Sequence, residues 1–151
     1  MTISEMISDI ANFIHSDESK FYSVIVGTDS HSRRINGKAE IDFVTAVVVH
    51  KKGHGGRYYW KKERQIKRPI LREKIYTETL MSLEYAEKVV PQLRDAVSPV
   101  KYDLEIHIDV GALGPTRDMI REVVGMVRGS GYTAKTKPDG WAASSVADRH
   151  T

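Results

Sequence analysis

Residues 21 to 31, Phe21-Tyr22-Ser23-Val24-Ile25-Val26-Gly27-Thr28-Asp29-Ser30-His31, decide the fold. The run is rich in β-branched and aromatic residues and carries no charge before Asp29, the pattern of a central strand buried on both faces. Its reading as a strand that ends at Asp29 puts a carboxylate at the carboxyl end, where sheets with parallel crossovers collect their ligand sites. A second run repeats the device. In Tyr102-Asp103-Leu104-Glu105-Ile106-His107-Ile108-Asp109-Val110 the residues Leu104, Ile106 and Ile108 alternate on one face, and the chain emerges at Asp109 before the turn at Gly111 to Gly114. Were these two strands adjacent and parallel, Asp29 and Asp109 would meet, and like charges so close repel unless a cation lies between them. Hard divalent cations take oxygen ligands of this kind.

Working outward, Asn36-Gly37 signals a hairpin turn, and residues 40 to 50, EIDFVTAVVVH, suit a neighbouring strand. Gly53 to Gly56 marks a second turn, followed by residues 57 to 67, RYYWKKERQIK, whose weaker alternation and higher charge fit an edge strand. Upstream, Ile3, Met6, Ile7, Ile10, Phe13 and Ile14 recur at helical spacing, so residues 1 to 18 are read as an amphipathic helix docked on the body of the protein. Downstream, the spacing predicts a helix over 70–97 that Pro91 should end or kink, a helix from Thr116 to about Arg128, a strand over 132–137, and a short helix over 141–151. Three antiparallel strands followed by crossover helices imply an α/β fold with one mixed five-stranded sheet flanked by helices. No linker or repeat interrupts the chain, which is read as one domain over residues 1–151.

The long helix tests the metal idea independently. Counted at 100° per residue, Ile75, Ser82, Tyr85, Ala86, Val89 and Leu93 fall within roughly 60° of Leu71, and so does Glu78. Glu73, Glu84 and Glu87 fall on the opposite side. A carboxylate in the middle of an apolar stripe is costly unless it is paired with a cation or coordinates a metal. A buried ion pair with an arginine is the alternative. Near the end of the chain Asp148 follows the small-residue face of Ala142, Ala143, Val146 and Ala147, and the spacing leaves open whether it is a further ligand or an exposed terminal acid. His31, His107 and His150 lie near the same residues in sequence, as proton carriers, ligands or simply hydrogen-bonded side chains.

Composition narrows the function classes. The chain has no cysteine, which excludes disulfides and thiolate chemistry and suits a reducing compartment. An acidic N-terminus without a long apolar run argues against a secretory signal, and no stretch approaches the length of a membrane span; a cytoplasmic location is expected. The nucleotide-loop, dinucleotide, serine-hydrolase and zincin motifs are absent. The net charge of +3 hides an uneven distribution, since residues 51 to 74 hold ten Lys or Arg against two Glu. Arg57, Lys61, Lys62, Arg64, Lys67 and Arg68, interleaved with Tyr59 and Trp60, make a candidate nucleic-acid contact. The alternative is a charged edge strand kept soluble by lysines.

Taken together, VIVGTDSH at 24 to 31, the helix from Arg68 to Ser82 with Glu78 inside it, HIDVGALGPT at 107 to 116 and the closing ASSVADRHT resemble the YkuK-like family of bacterial proteins, within the ribonuclease-H-like superfamily. The resemblance covers nearly the whole chain. It implies a sheet ordered 3-2-1-4-5 and a ligand set of Asp29, Glu78, Asp109 and Asp148 for Mg²⁺ or Mn²⁺. The chain stops three residues after Asp148, so its last helix is short for the superfamily pattern. The expectation is a nuclease hydrolysing phosphodiester bonds with two metal ions about 3.5 to 4 Å apart. The rival expectations are an inactive nucleic-acid-binding protein of the same fold and an interaction module that uses the N-terminal helix.

Overall fold

The computed structural model describes residues 1–65, 71–111 and 119–137. The first helix, α1 (Ile3–His15), starts where the sequence provides a reciprocal cap: the Glu5 amide donates to the Thr2 hydroxyl at 3.1 Å and the Thr2 amide donates to the Glu5 carboxylate at 3.2 Å. Strands β1 (Tyr22–Ile35) and β2 (Lys38–Lys51) form a long hairpin closed by Asn36 and Gly37, both at positive φ, as a two-residue turn of this hand requires. Then follow β3 (Gly56–Gln65), α2 (Leu71–Val97), β4 (Asp103–Gly111), α3 (Ile120–Gly129) and β5 (Thr133–Lys137).

The five strands form one mixed sheet in the order β3-β2-β1-β4-β5. β1 pairs antiparallel with β2, and β2 with β3, whereas β4 runs parallel to both β1 and β5. Strand alternation divides the two faces. Val24, Val26, Val47, Val49, Ile106, Ile108 and Val110 join the main core with Met6, Ile7, Ile10 and Ile14 of α1, Ala86, Val89 and Leu93 of α2, and Val123 and Val127 of α3. The intervening Val44 and Ala46 form a separate small cluster. Among the described residues no helix is long and apolar enough to cross a membrane.

One expectation needs correction. β1 does not end at Asp29 but continues to Ile35, because β2 is long enough to pair with it throughout, up to Ile35 opposite Lys38. The polar run from Ser30 to Arg34 reads as a strand terminus only when its partner is ignored. At Pro91, where an end or a kink was expected, the helix does not end: α2 runs on to Val97, as the 70–97 span has it, since tertiary packing of Val89, Leu93 and Val97 outweighs one lost helical hydrogen bond. The start of α3 at Ile120 lies just beyond residues 112–118, which are outside the described residues, as is the helix expected over 141–151.

Candidate metal centre

The parallel pairing of β1 with β4 runs from Ser23 opposite Asp103 to Gly27 opposite His107 and then stops. Asp29 and Asp109 each stand two residues past that last pair, so they occupy matching places where the strands part. β4 is irregular there, with its register against β5 shifting between His107 and Gly111. The acids therefore sit at an opening in the sheet rather than at the end of β1.

α2 is locked over this opening by buried hydroxyls. Thr28 Oγ1 lies 2.7 Å from Ser82 Oγ and 3.0 Å from Thr45 Oγ1. One helical turn back from Ser82 is Glu78, and two residues along the strand from Thr28 is Ser30. A turn of helix and two strand residues advance by similar lengths, about 5 to 7 Å, so the second contact falls into place: the Ser30 hydroxyl donates to Glu78 Oε2. Thr28 and Ser30 both face α2, and by alternation Asp29 is out of phase with them. Its carboxyl nonetheless joins the group, because one oxygen from each of Asp29, Glu78 and Asp109 lies within 4.8 Å of the others.

Glu78 is only 4% exposed. Burial pushes its carboxyl up to about 8; the Ser30 hydrogen bond and Lys74 pull the other way, while the Asp29 and Asp109 carboxylates add to the rise. The partner that Glu78 bonds among the described residues is a serine hydroxyl. An all-oxygen donor set with negative charge held so close suits a hard divalent cation, so the residues present fit Mg²⁺ or Mn²⁺.

The other site residues read from sequence are less gathered. Asp148, His150, Lys67 and Arg68 lie outside the described residues. His31 is exposed on β1. His107 is buried, with Nε2 3.2 Å from Glu105 and Nδ1 lacking a hydrogen-bond partner among the described residues; burial pushes its pKa down, toward the neutral ring.

The basic segment is split by strand alternation. Arg57 pairs with Asp9 at 3.1 Å and lies over the Phe13 ring, Tyr59 donates to Asp9, and Lys61 lies 4.6 Å from the Tyr85 ring centre and 3.2 Å from Glu63. Trp60, Lys62 and Arg64 are exposed on the other side, although Arg64 also donates to the buried Asp42 at 2.9 Å. What the sequence reading missed is the hydroxyl set of Thr28, Ser30 and Ser82. Its one signal was a serine, Ser82, within 60° of the centre of an apolar helical stripe.

Residues 5–151 match the family described as Ribonuclease H-like. The chain is 33% identical, over 162 aligned positions, to the Bacillus subtilis (strain 168) protein named Uncharacterized protein YkuK, covering all of this chain and 91% of that one. A looser likeness, with a TM-score of 0.39 and 14% identity, links 80% of this chain to the NurA nuclease from Sulfolobus solfataricus. This chain spans 44% of that structure, and the likeness has no bearing on activity.

Proposed function

The chain belongs to the ribonuclease H-like family, and on that premise we propose that it is a divalent-metal-dependent nuclease that hydrolyses phosphodiester bonds of nucleic acid by a two-metal mechanism. The observation that carries the reading is the meeting of Asp29, Glu78 and Asp109, from two parallel strands and the crossover helix, within 4.8 Å. Mg²⁺ or Mn²⁺ bound there supplies an activated water and relieves charge on the leaving oxygen.

The chain's own part is to hold and orient. Asp29 and Asp109 offer carboxylates from the two sides of the opening between β1 and β4, which fixes their separation through backbone rather than through flexible side chains. Glu78 approaches from α2 with Oε2 tied to Ser30, so that the carboxyl keeps one orientation. Asp148 is the proposed fourth ligand, and the basic, aromatic segment from Arg57 onward supplies contacts to the strand.

Incubation with DNA, RNA and hybrid substrates in Mn²⁺ tests the proposal. Cleavage is expected with wild type and is lost in Asp29→Asn and Asp109→Asn, and calorimetric titration with Mn²⁺ gives binding to wild type alone. Cleavage that survives in Asp29→Asn refutes the assignment of the site.

A further inference from the structure

Asp29 and Asp109 lie past the last β1–β4 pair, and at the other end of the sheet, where β1, β4 and β5 begin, the surface is hollowed out. Two cavities adjoin there. One, of about 570 Å³, is walled by Val90 and Arg94 of α2, Val100 of the link to β4, Leu104 of β4 and Tyr132 at the entry to β5. The other, of about 750 Å³, lies among Phe21 and Ser23 at the start of β1, His50 of β2 and Lys52 just past it. Lys101, Tyr102 and Asp103 line both, so the two make one trough. It runs across the starts of β5, β4 and β1, two strand spacings or roughly 10 Å. Ser23 stands six residues before Asp29, which sets the trough roughly 20 Å from the carboxylates of the metal centre.

The chemistry of the lining changes along the trough. In the first cavity Tyr102 and Tyr132 are half-buried against the core, and among the described residues neither phenol hydroxyl has a hydrogen-bond partner or is sealed from solvent. Arg94 is exposed and holds no ion pair among the described residues; its charge reaches both phenols and favours their ionised form, although burial pushes both pKa values up. With Val90, Val100 and Leu104 this half is an apolar, aromatic recess with a cation at its side, the kind of lining that small ring compounds occupy. In the second cavity Lys101 and Lys52 are exposed, again without an ion pair among the described residues. Asp103, the acid that lines the trough, stands where the two cavities join.

We infer that this trough binds a ribonucleoside monophosphate, with its base in the recess beside Tyr102, Tyr132 and Arg94, its ribose hydroxyls donating to the Asp103 carboxylate, and its phosphate on Lys101 and Lys52. The order of the parts selects the ligand. An apolar recess alone takes any ring, and lysines alone take any anion. A carboxylate acceptor between them suits a polyol that joins a ring to an anion. The first cavity also has the size of a small-molecule site, since these run from roughly 300 to 1,000 Å³. The site stands apart from the metal centre and does not rest on the nuclease reading.

Calorimetric titration of the full chain in EDTA with AMP, CMP, GMP and UMP tests the inference, with adenosine, inorganic phosphate and dAMP as partial ligands. At least one of the four nucleotides should bind, and adenosine and phosphate should each bind roughly ten-fold more weakly than AMP or worse, because each fills one half of the trough. Arg94→Ala and Lys101→Ala should each weaken nucleotide binding by roughly ten-fold, and Asp103→Asn should shrink the preference for AMP over dAMP. Lys62→Ala, which removes a charge at the opposite edge of the sheet, and Asp29→Asn should both bind as wild type does. Failure of all four nucleotides to bind below about 1 mM overturns the inference. So does phosphate binding as tightly as AMP, an equal loss in Lys62→Ala, or binding that disappears in Asp29→Asn, which would put the nucleotide at the acids instead.

Discussion

Replacing Glu78 by glutamine should make the metal-free protein more stable, an unusual sign for a change at a buried hydrogen-bonded residue. The carboxyl ordinarily titrates at 4.5, and in the fold burial raises it to about 8. Below the lower value both folded and unfolded chains hold the proton, and the group has no effect on stability. Between the two values the unfolded chain releases a proton that the folded chain keeps, so stability falls by about 1.4 kcal/mol for each pH step. The accumulated loss is about 3 kcal/mol at pH 7 and about 5 kcal/mol above pH 8, as orders of magnitude. Glutamine has no proton to release and can still accept from the Ser30 hydroxyl.

Thermal denaturation in EDTA should therefore show the two proteins nearly equal at pH 4.5 and the glutamine variant ahead at pH 7 by roughly 6 to 12 °C, taking 2 to 4 °C per kcal/mol for a chain of this size. Excess Mn²⁺ should invert the ranking. At pH 7 a cation at one thousand times its dissociation constant adds about 4.1 kcal/mol to wild type, more than the deficit of about 3, and the variant, short of one ligand, gains much less. A variant that is less stable than wild type at pH 8 without metal, or that gains as much from Mn²⁺, would show that Glu78 is a structural acid and refute the reasoning.

Three further outcomes are expected. Ser30→Ala should lower Mn²⁺ affinity by roughly ten-fold or more, because Glu78 loses the contact that orients it, and Ser30→Thr should restore most of it in the same titration. Asp42 is 1% exposed; burial alone would raise its pKa, but the Arg64 hydrogen bond and the charges of Arg33 and Arg64 outweigh that and hold it below 3.8. Its stabilising contribution is then present above pH 3.8 and lost as the pH falls, so Asp42→Asn should cost roughly 1 to 3 kcal/mol at pH 7 and progressively less toward pH 2 in urea unfolding. Ile10→Ala, within the buried face of α1, should cost about 2 to 5 kcal/mol, a loss that a helix serving only as a handle for other molecules would not show.

The features legible in the sequence were those set by local pattern. The uncharged β-rich run at 22 to 28, the alternation at 104 to 108, the Asn36-Gly37 turn and the helical wheel around Leu71 each follow from neighbours a few residues away, and each was found again in the fold. What the sequence could not carry was decided by partners distant along the chain. Where β1 stops depends on the length of β2, not on the polarity of Ser30 to Arg34. Which cations of the basic segment face outward depends on the phase of β3 against Val44 and Ala46, and summing charge along the segment discards that phase. Ser30 drew no notice because a serine after an aspartate in a strand has no periodic signature; its meaning comes from standing one helical turn's length from the Thr28 and Ser82 contact.

Two carboxylates buried against the same sheet make the strongest internal comparison. Asp42 has what a structural acid needs: guanidinium groups of Arg33 and Arg64 at 3.0 and 2.9 Å, so its charge is favoured in the fold. Glu78 is buried almost as deeply but meets a hydroxyl and two more carboxylates, so the fold disfavours its charge. The chain thus places arginines where a buried acid is to be neutralised from within, and at Glu78, among the described residues, it gathers further acids instead. Dispersing them would be the stabilising choice. Three converging acids make physical sense if a cation from outside completes the set, which is the condition under which the buried Glu78 gives up its proton and the site acquires its charge.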